Sequence, residues 1–377
     1  MNKLLSILIP TRNRQKYCIG AIKEILSIGS ERIEICVQDN SDDNSLEYEI
    51  KAIGSSSVIY NYHRGVLSFV DNFSEAITIS SGEYLCLIGD DDGILPNIIP
   101  TIQYMKENNL DVLVPSLNAC YFWPSDTPLY PKAENGYLAL TKDRFNIKKI
   151  DPILSLDNFV KNGLIDYLSF DMPKLYHGIV KKGVLQEIKN VTGNYFQGLT
   201  PDIFMATALC FVAKKFEMVD YPVTIAGICP MSGSSDSATG KHTGDLKDAP
   251  HFRGHNNYEW EKLIPPFYSV ETIWAETALK CLRMFGKDDI IKKINLPLFY
   301  QHCLNKFPQF KDIIFETATL NNINIPENYI VKQENICVRF SRRVINRILN
   351  GRPKRFYDVI DITAAKEIIE KNIRIKI

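Results

Sequence analysis

The first 115 residues alternate short apolar runs with stretches of helical periodicity, and this alternation limits the chain more than any other feature. Strands buried on both faces read as continuous apolar runs, and parallel strands require a crossover between them, so the pattern predicts βαβ units around a mostly parallel sheet. "LLSILIP", "IEICVQ", "VIYNY", "YLCLI" and "DVLVP" are the strand candidates. Between them, Cys18, Ala21, Ile22, Ile25 and Leu26 share one helical face, as do Phe69, Phe73, Ala76 and Ile77, and then Ile98, Ile99, Ile102 and Met105. Residues 116–174 are irregular, which suits long loops or an insertion over a site. "KLYHGIV" then reads as a strand, "KKGVLQEIK" as a helix start and "TPDIFMATALCFVA" as a buried helix, and from about residue 256 the pattern is helical. The expected organisation is a domain over 1–255 and a helical region over 256–377.

Lys plus Arg equals Asp plus Glu at 44 each, so overall charge gives no argument for a nucleic-acid partner. The nine cysteines contain no CxxC pair, which fits a reducing cytoplasm. Pro10 and "TRNR" interrupt the opening apolar run too early for a signal peptide, and no run approaches the ~20 apolar residues that cross a bilayer. A soluble or peripheral cytoplasmic protein is the expectation.

The stretch "EYLCLIGDDDGILP" sets the chemical question. Carboxylates ~4 Å apart repel by roughly 4 kcal/mol at an intermediate dielectric, so Asp90, Asp91 and Asp92 need an offset: water, a shared proton or a divalent cation. In open α/β sheets the ligand sits beyond the carboxyl ends of the strands. Three such ends are polar here, "PTRNR", "QDNSDDNS" and "GDDD", so Pro10, Thr11, Arg12, Asn13, Asp39, Asn40 and the acidic triplet converge if the strands are neighbours. Taken singly, each cluster is also an ordinary polar turn or helix cap.

On "SILIPTRNR", "EICVQDNSDDNS" and "RGVLSFVDNFSEAITISSGEYLCLIGDDD", the sequence resembles the inverting glycosyltransferases of family 2, which have the GT-A fold. The likeness is good over residues 4–115 and loose to about 255. It implies an α/β, Rossmann-like sheet flanked by helices with a C-terminal helical extension, and transfer of a sugar from a nucleotide-diphosphate donor, with uridine the commonest base. It also implies Mn²⁺ or Mg²⁺ on Asp90 and Asp92, base recognition by Asp39, and a nucleotide pocket that includes Asn40, Arg64 and Asp91. Such an ion stabilises a departing diphosphate as a Lewis acid and takes hard oxygen ligands, which explains the residue types.

Family members place the base that deprotonates the acceptor at the start of a late helix, and Asp202 in "GLTPDIFMATALC" fits; the same residue also suits a helix N-terminus. Asp157, Asp166 and Asp171 are weaker candidates. His242, in the late loop "SATGKHTGDLKDAPH", is the third metal-ligand candidate, and Lys241 could meet the diphosphate. Tyr121, Phe122, Trp123 and Tyr130 read equally as a sugar-binding surface or as core. In the tail, Arg339, Arg342, Arg343, Arg347, Arg352, Lys354 and Arg355 interleave with apolar residues. A basic amphipathic helix of that kind either lies on anionic lipid, beside a lipid-linked acceptor, or packs on the domain with its arginines solvated. The expected role is bacterial surface-polysaccharide synthesis, on a saccharide or lipid-linked saccharide acceptor. A sugar-nucleotide pyrophosphorylase is the rival enzyme, although "PTRNRQKY" lacks its glycines, and a non-catalytic glycan-binding protein is the rival outside enzymes.

Overall fold

The computed structural model describes residues 3–126, 134–142, 146–232, 243–255, 257–325 and 353–373. Each expected early strand forms: β1 (Leu5–Thr11), β2 (Ile33–Asp39), β3 (Val58–Tyr62), β4 (Tyr84–Leu87) and β6 (Val112–Pro115), with the short β5 (Gly93–Ile94) between the last two. β1, β2 and β4 are buried along their whole length, which is why they read as unbroken apolar runs. Helices α1 (Gln15–Leu26), α2 (Ser45–Ile53), α3 (Phe69–Thr78) and α4 (Ile98–Glu107) connect them. α1 buries Cys18, Ala21, Ile22 and Ile25, the face its periodicity predicts.

Residues 116–174 are more ordered than their sequence suggests. They contain β7 (Ala119–Phe122), β8 (Tyr137–Leu140), β9 (Ile147–Lys149) and helix α5 (Pro152–Lys161), whose N-terminus is capped by Asp151. After them come β10 (Ile179–Lys181), α6 (Lys182–Thr192), α7 (Pro201–Val212), β11 (Phe216–Val219) and β12 (Thr224–Ile228). "KLYHGIV" yields a strand only at its end; its Lys174–Gly178 part is a turn, with His177 at a φ of 57°.

The main sheet has eight strands in the order β3-β2-β1-β4-β10-β6-β11-β9. β1, β2, β3 and β4 are parallel, and β10 enters antiparallel between β4 and β6. The order reverses at β1, which has β2 on one side and β4 on the other, and open α/β sheets bind ligands beyond the carboxyl ends of the strands at such a point. One apolar core lies between the sheet and α1, α2 and α4, and a second lies on the opposite face under α3, α6 and α7.

The region after residue 256 is mainly helical, with Val270–Met284, Leu296–Lys306 and Lys311–Leu320 packed with α5 and α7 around a third core. It is not wholly so. A further strand, β13 (Lys354–Tyr357), pairs antiparallel with β8 and extends a five-stranded sheet ordered β13-β8-β7-β12-β5. Lys354 and Arg355, read above as the end of a basic helix, therefore lie in a strand, because Pro353 breaks helical continuity and β8 offers an edge. Arg339 through Arg352 lie outside the described residues. The helix Ile362–Asn372 packs on α1, where buried Lys366 lies 3.2 Å from the buried carboxylate of Glu24. Among the described residues, no helix is long and apolar enough to cross a membrane.

Candidate active site

The three polar strand ends meet. Thr11 is in register with Asp39 across β1 and β2, and the Ile88 amide donates to the Leu8 carbonyl at 3.0 Å. Thr11 Oγ1 donates to Asp90 Oδ2 at 2.6 Å across 79 residues of sequence. The acidic triplet is almost wholly buried, with Asp90, Asp91 and Asp92 at 0%, 3% and 1% exposure, so water does not offset its charge.

The protein's own donors do much of that work. Arg14, the N-cap residue of α1, grips Asp90 with two nitrogens: Nε is 3.0 Å from Oδ2 and Nη2 is 2.7 Å from Oδ1. Burial opposes the charge on Arg14, yet the neighbouring Asp90 and Asp91 hold its pKa above the ordinary arginine value. Asp92 is engaged on both oxygens: Oδ2 accepts from the Gly89 amide (2.6 Å) and Tyr176 hydroxyl (3.0 Å) and lies 3.3 Å from His177 Nε2, while Oδ1 accepts from the Gly227 amide (2.6 Å). Burial pushes the pKa of His177 down, although Asp92 opposes that shift. Asp91 Oδ2 accepts from the Cys229 amide at 3.0 Å, and its carbonyl accepts from Trp123 Nε1 at 2.8 Å. Asp91 Oδ1 has a looser partner, Arg14 Nη1 at 3.8 Å. Burial and the neighbouring carboxylates push Asp90 and Asp91 above the usual carboxylate range, against the pull of Arg14.

This donor set tests the proposed ion. Among the described residues, no three His, Cys, Asp or Glu side chains come together in a metal-holding group. Asp92 is committed to internal donors on both oxygens and Asp90 on Oδ2, while Asp90 Oδ1 has Arg14 Nη2 beside it but no hydrogen bond, so the two do not fit as a ligand pair. Asp91 fits better, because one carboxylate suffices for Mg²⁺ or Mn²⁺ when phosphate oxygens and waters complete the shell. His242 lies outside the described residues.

Two glycines are required by this packing. A Cβ on Gly89 would stand 3.0 Å from Asp91 Oδ1, Asp92 Oδ2 and the Tyr176 hydroxyl. A Cβ on Gly227 would fall 1.7 Å from the Asp91 carbonyl oxygen. Gly227→Ala is expected to destabilise the fold by about 1–3 kcal/mol, read as a lower urea midpoint, since backbone rather than a movable side chain must give way.

At the end of β2, Asp39 accepts from the Ser41 amide (2.8 Å) and Tyr60 hydroxyl (2.9 Å), which forms the turn that its sequence context also allowed. Asn40 donates to the Gly65 carbonyl (2.6 Å) and accepts from Arg253 Nη2 (2.9 Å). Asn13 adopts a φ of 54° and exchanges hydrogen bonds with Asp42, whose carboxylate also pairs with Arg12 at 2.8 Å. Pro10 is buried and Arg64 is exposed.

Comparison with known proteins identifies the scaffold on which these strand ends sit. The family model described as glycosyl transferase family 2 matches residues 6–160. The matched segment carries β1 to β4 and β6 of the mixed main sheet, with the helices between them. The glycosyltransferase GlyG of Streptococcus pneumoniae is 29% identical over 119 residues, 30% of this chain and 39% of that protein. The putative colanic acid biosynthesis glycosyl transferase WcaA of Escherichia coli is 29% identical over 140 residues, 35% of this chain and 50% of that protein. The abequosyltransferase RfbV of Salmonella typhimurium is 27% identical over 118 residues, 29% of this chain and 34% of that protein. The chain thus spans between about a third and a half of the length of these curated relatives. Among solved structures, Staphylococcus aureus TarS residues 1–349 in complex with UDP-GlcNAc align with a TM-score of 0.46 at 12% identity, covering 86% of this chain and 93% of that one.

Beyond residues 6–160, Asp202 lines a cavity of about 940 Å³ together with Tyr176, Phe69, Phe73 and Trp274. It occupies the first turn of α7, where Oδ1 accepts from the Ile203 amide at 2.8 Å and Oδ2 from the Tyr167 hydroxyl at 3.1 Å. Burial raises its pKa, although those hydrogen bonds and Lys174 oppose the shift. Tyr176 joins the two halves, since its hydroxyl rests on Asp92 while the residue lines the Asp202 cavity.

The other acidic candidates separate clearly. Asp157 pairs with Lys161 along α5 and Asp171 with Lys148, both pairs partly exposed, whereas Asp166 lines the cavity. Tyr121 and Trp123 are core residues, as one of their two readings held, and Phe122 is buried beside them; Tyr130 lies outside the described residues. Sequence reasoning missed Arg14, Tyr167, Tyr176 and His177. Arg14 is part of the quoted "PTRNR", and only its placement beside Asp90 distinguishes it from a solvated helix-start arginine.

Proposed function

We propose that this protein is an inverting glycosyltransferase that moves a sugar from a nucleotide-diphosphate donor to a hydroxyl of a saccharide or lipid-linked saccharide in bacterial surface-polysaccharide synthesis. The observation that supports this reading is Tyr176, whose hydroxyl donates to Asp92 while the residue lines the Asp202 cavity, so the acidic strand end and that cavity share one side chain. Donor and acceptor need such adjacent compartments, because direct displacement requires the acceptor on the face opposite the diphosphate. The names of WcaA and RfbV, a colanic acid biosynthesis enzyme and an abequosyltransferase, support this substrate class.

In this mechanism Asp202 accepts the acceptor's proton, with Tyr167 fixing the orientation of its carboxylate. The strand ends hold the nucleotide: Thr11, Arg12, Asn13, Asp39, Asn40 and Arg64 surround it, and Arg14 adds positive charge beside the acidic triplet. Mn²⁺ or Mg²⁺ held through Asp91 would supply Lewis-acid stabilisation of the leaving diphosphate. Work near the inner face of the membrane is part of the proposal, because a lipid-linked acceptor resides there.

A thermal-shift screen of nucleoside diphosphates, with and without Mn²⁺, tests donor binding, and UDP is expected to raise the melting temperature. Incubation of a sugar nucleotide with acceptor extract should then release free nucleoside diphosphate; release of pyrophosphate instead would favour a pyrophosphorylase. The pH profile gives a second check. Asp202 must be ionised to act, and burial raises its pKa, so kcat/KM should fall with decreasing pH at a midpoint above the ordinary aspartate value.

A further inference from the structure

We propose that the Asp202 cavity is a pyranose-binding acceptor subsite whose outer wall is built by the helices Val270–Met284 and Leu296–Lys306, with Trp274 as the stacking surface and Glu271 as the hydroxyl-binding group. This rests on the reading of Asp202 as the base and goes beyond it by assigning the residues that choose the acceptor.

The cavity's size, about 940 Å³, is at the upper end of the range for small-ligand sites. Its lining is mixed in a way that suits a sugar. Phe69 and Leu168, 42% and 53% exposed, turn apolar surface toward it alongside Trp274. Acidic and basic groups share the same walls: Asp202, Asp166, Glu271 and Lys306. A pyranose has an apolar C–H face and a rim of hydroxyls, so it matches both kinds of surface. An aliphatic chain would take water from these charged groups and offer their remaining lone pairs no donor, which is costly.

The two principal carboxylates have been driven apart in character. Burial raises the pKa of Asp202, as a base needs. Glu271 is also subject to burial, but His302 and Lys306 bring its pKa down to about 2. Glu271 therefore stays ionised as a fixed acceptor of hydrogen bonds. Its contacts to Lys306 and His302 both fall on Oε1, so neither cation occupies Oε2, the oxygen proposed to meet a ligand hydroxyl.

Trp274 is linked to the base as well as to the cavity. Its ring packs edge-on against Tyr167 at 4.8 Å between centroids, and the Tyr167 hydroxyl donates to Asp202. Residues 200–202, 271, 274, 302 and 306 all lie beyond the segment that matches the family model, residues 6–160. Acceptor choice can thus vary without disturbing the donor-side strand ends.

Saturation-transfer NMR on the full chain, in the presence of saturating UDP, with a panel of methyl pyranosides and octyl glucoside, tests the proposal. Transfer to the ring protons of at least one pyranoside is expected. Trp274→Ala and Glu271→Gln should each weaken it roughly tenfold. Circular dichroism and the UDP thermal shift should remain unchanged in both variants, which separates lost contacts from lost folding. No ring transfer from any probe, transfer that survives both substitutions, or transfer confined to the octyl chain would overturn the assignment. Asp202→Asn distinguishes the two readings: retained sugar transfer in that variant refutes the base, whereas pyranoside binding tests the subsite.

Discussion

Asp202→Asn is expected to slow sugar transfer by about two to four orders of magnitude, the usual contribution of a positioned general base. The substitution preserves shape and leaves one acceptor oxygen for either Tyr167 or the Ile203 amide, while removing the carboxylate that takes the proton. Binding of the donor should be unaffected, because Asp202 is hydrogen-bonded to Tyr167 and the Ile203 amide rather than to the acidic triplet. The combination to look for is a large fall in kcat with an unchanged UDP thermal shift. If the variant transfers sugar within a few-fold of the parent, Asp202 is only a helix-start residue, stabilising α7 through its dipole.

The second large effect concerns stability. Arg14→Met should cost about 3 kcal/mol, because it leaves Asp90 buried without its cation, and breaking one side of a buried pair is far costlier than replacing both. Asp90 is fully buried, and the Arg14 side chain is 21% exposed, so solvent screens little of the interaction. Adding Asp90→Asn should recover much of the loss. The pH dependence has a definite sign. Burial already raises the pKa of Asp90 in the folded protein, and removing Arg14 raises it further, so the folded state binds more protons than the unfolded chain between the unfolded value near 3.9 and the raised one. The single variant should therefore gain stability as pH falls through that window. Chemical denaturation at several pH values reads this directly; a deficit independent of pH would mean that packing around the Arg14 stem, not charge, is what was lost.

Arg14 also shows why the acidic triplet could be located in the sequence but not explained by it. Three adjacent carboxylates after an apolar run require some offset, and a divalent ion was the simplest one. The structure provides Arg14, Thr11, Tyr176 and the backbone amides of Gly89, Gly227 and Cys229. Gly227 is 135 residues from Asp92, and nothing local connects them. The aromatic run around Trp123 followed the same course. Either reading was open in sequence, and burial against Asp91 and the residue 362–373 helix assigns it to the core.

The strands of the parallel sheet, the buried faces of α1 and α4, and the polar strand ends were all readable from residue order, because side-chain periodicity is a local property of the backbone. Asp202 was readable for a related reason, as the acidic residue of a Thr-Pro-Asp helix start. The cavity it faces was not, since part of its wall comes from helices about 70 to 100 residues later. Nor was the pairing of each buried carboxylate, the antiparallel entry of β10 or the return of residues 354–357 to β8. Those features depend on which distant donors and edges arrive at the same place, and only the packing of the whole chain decides that.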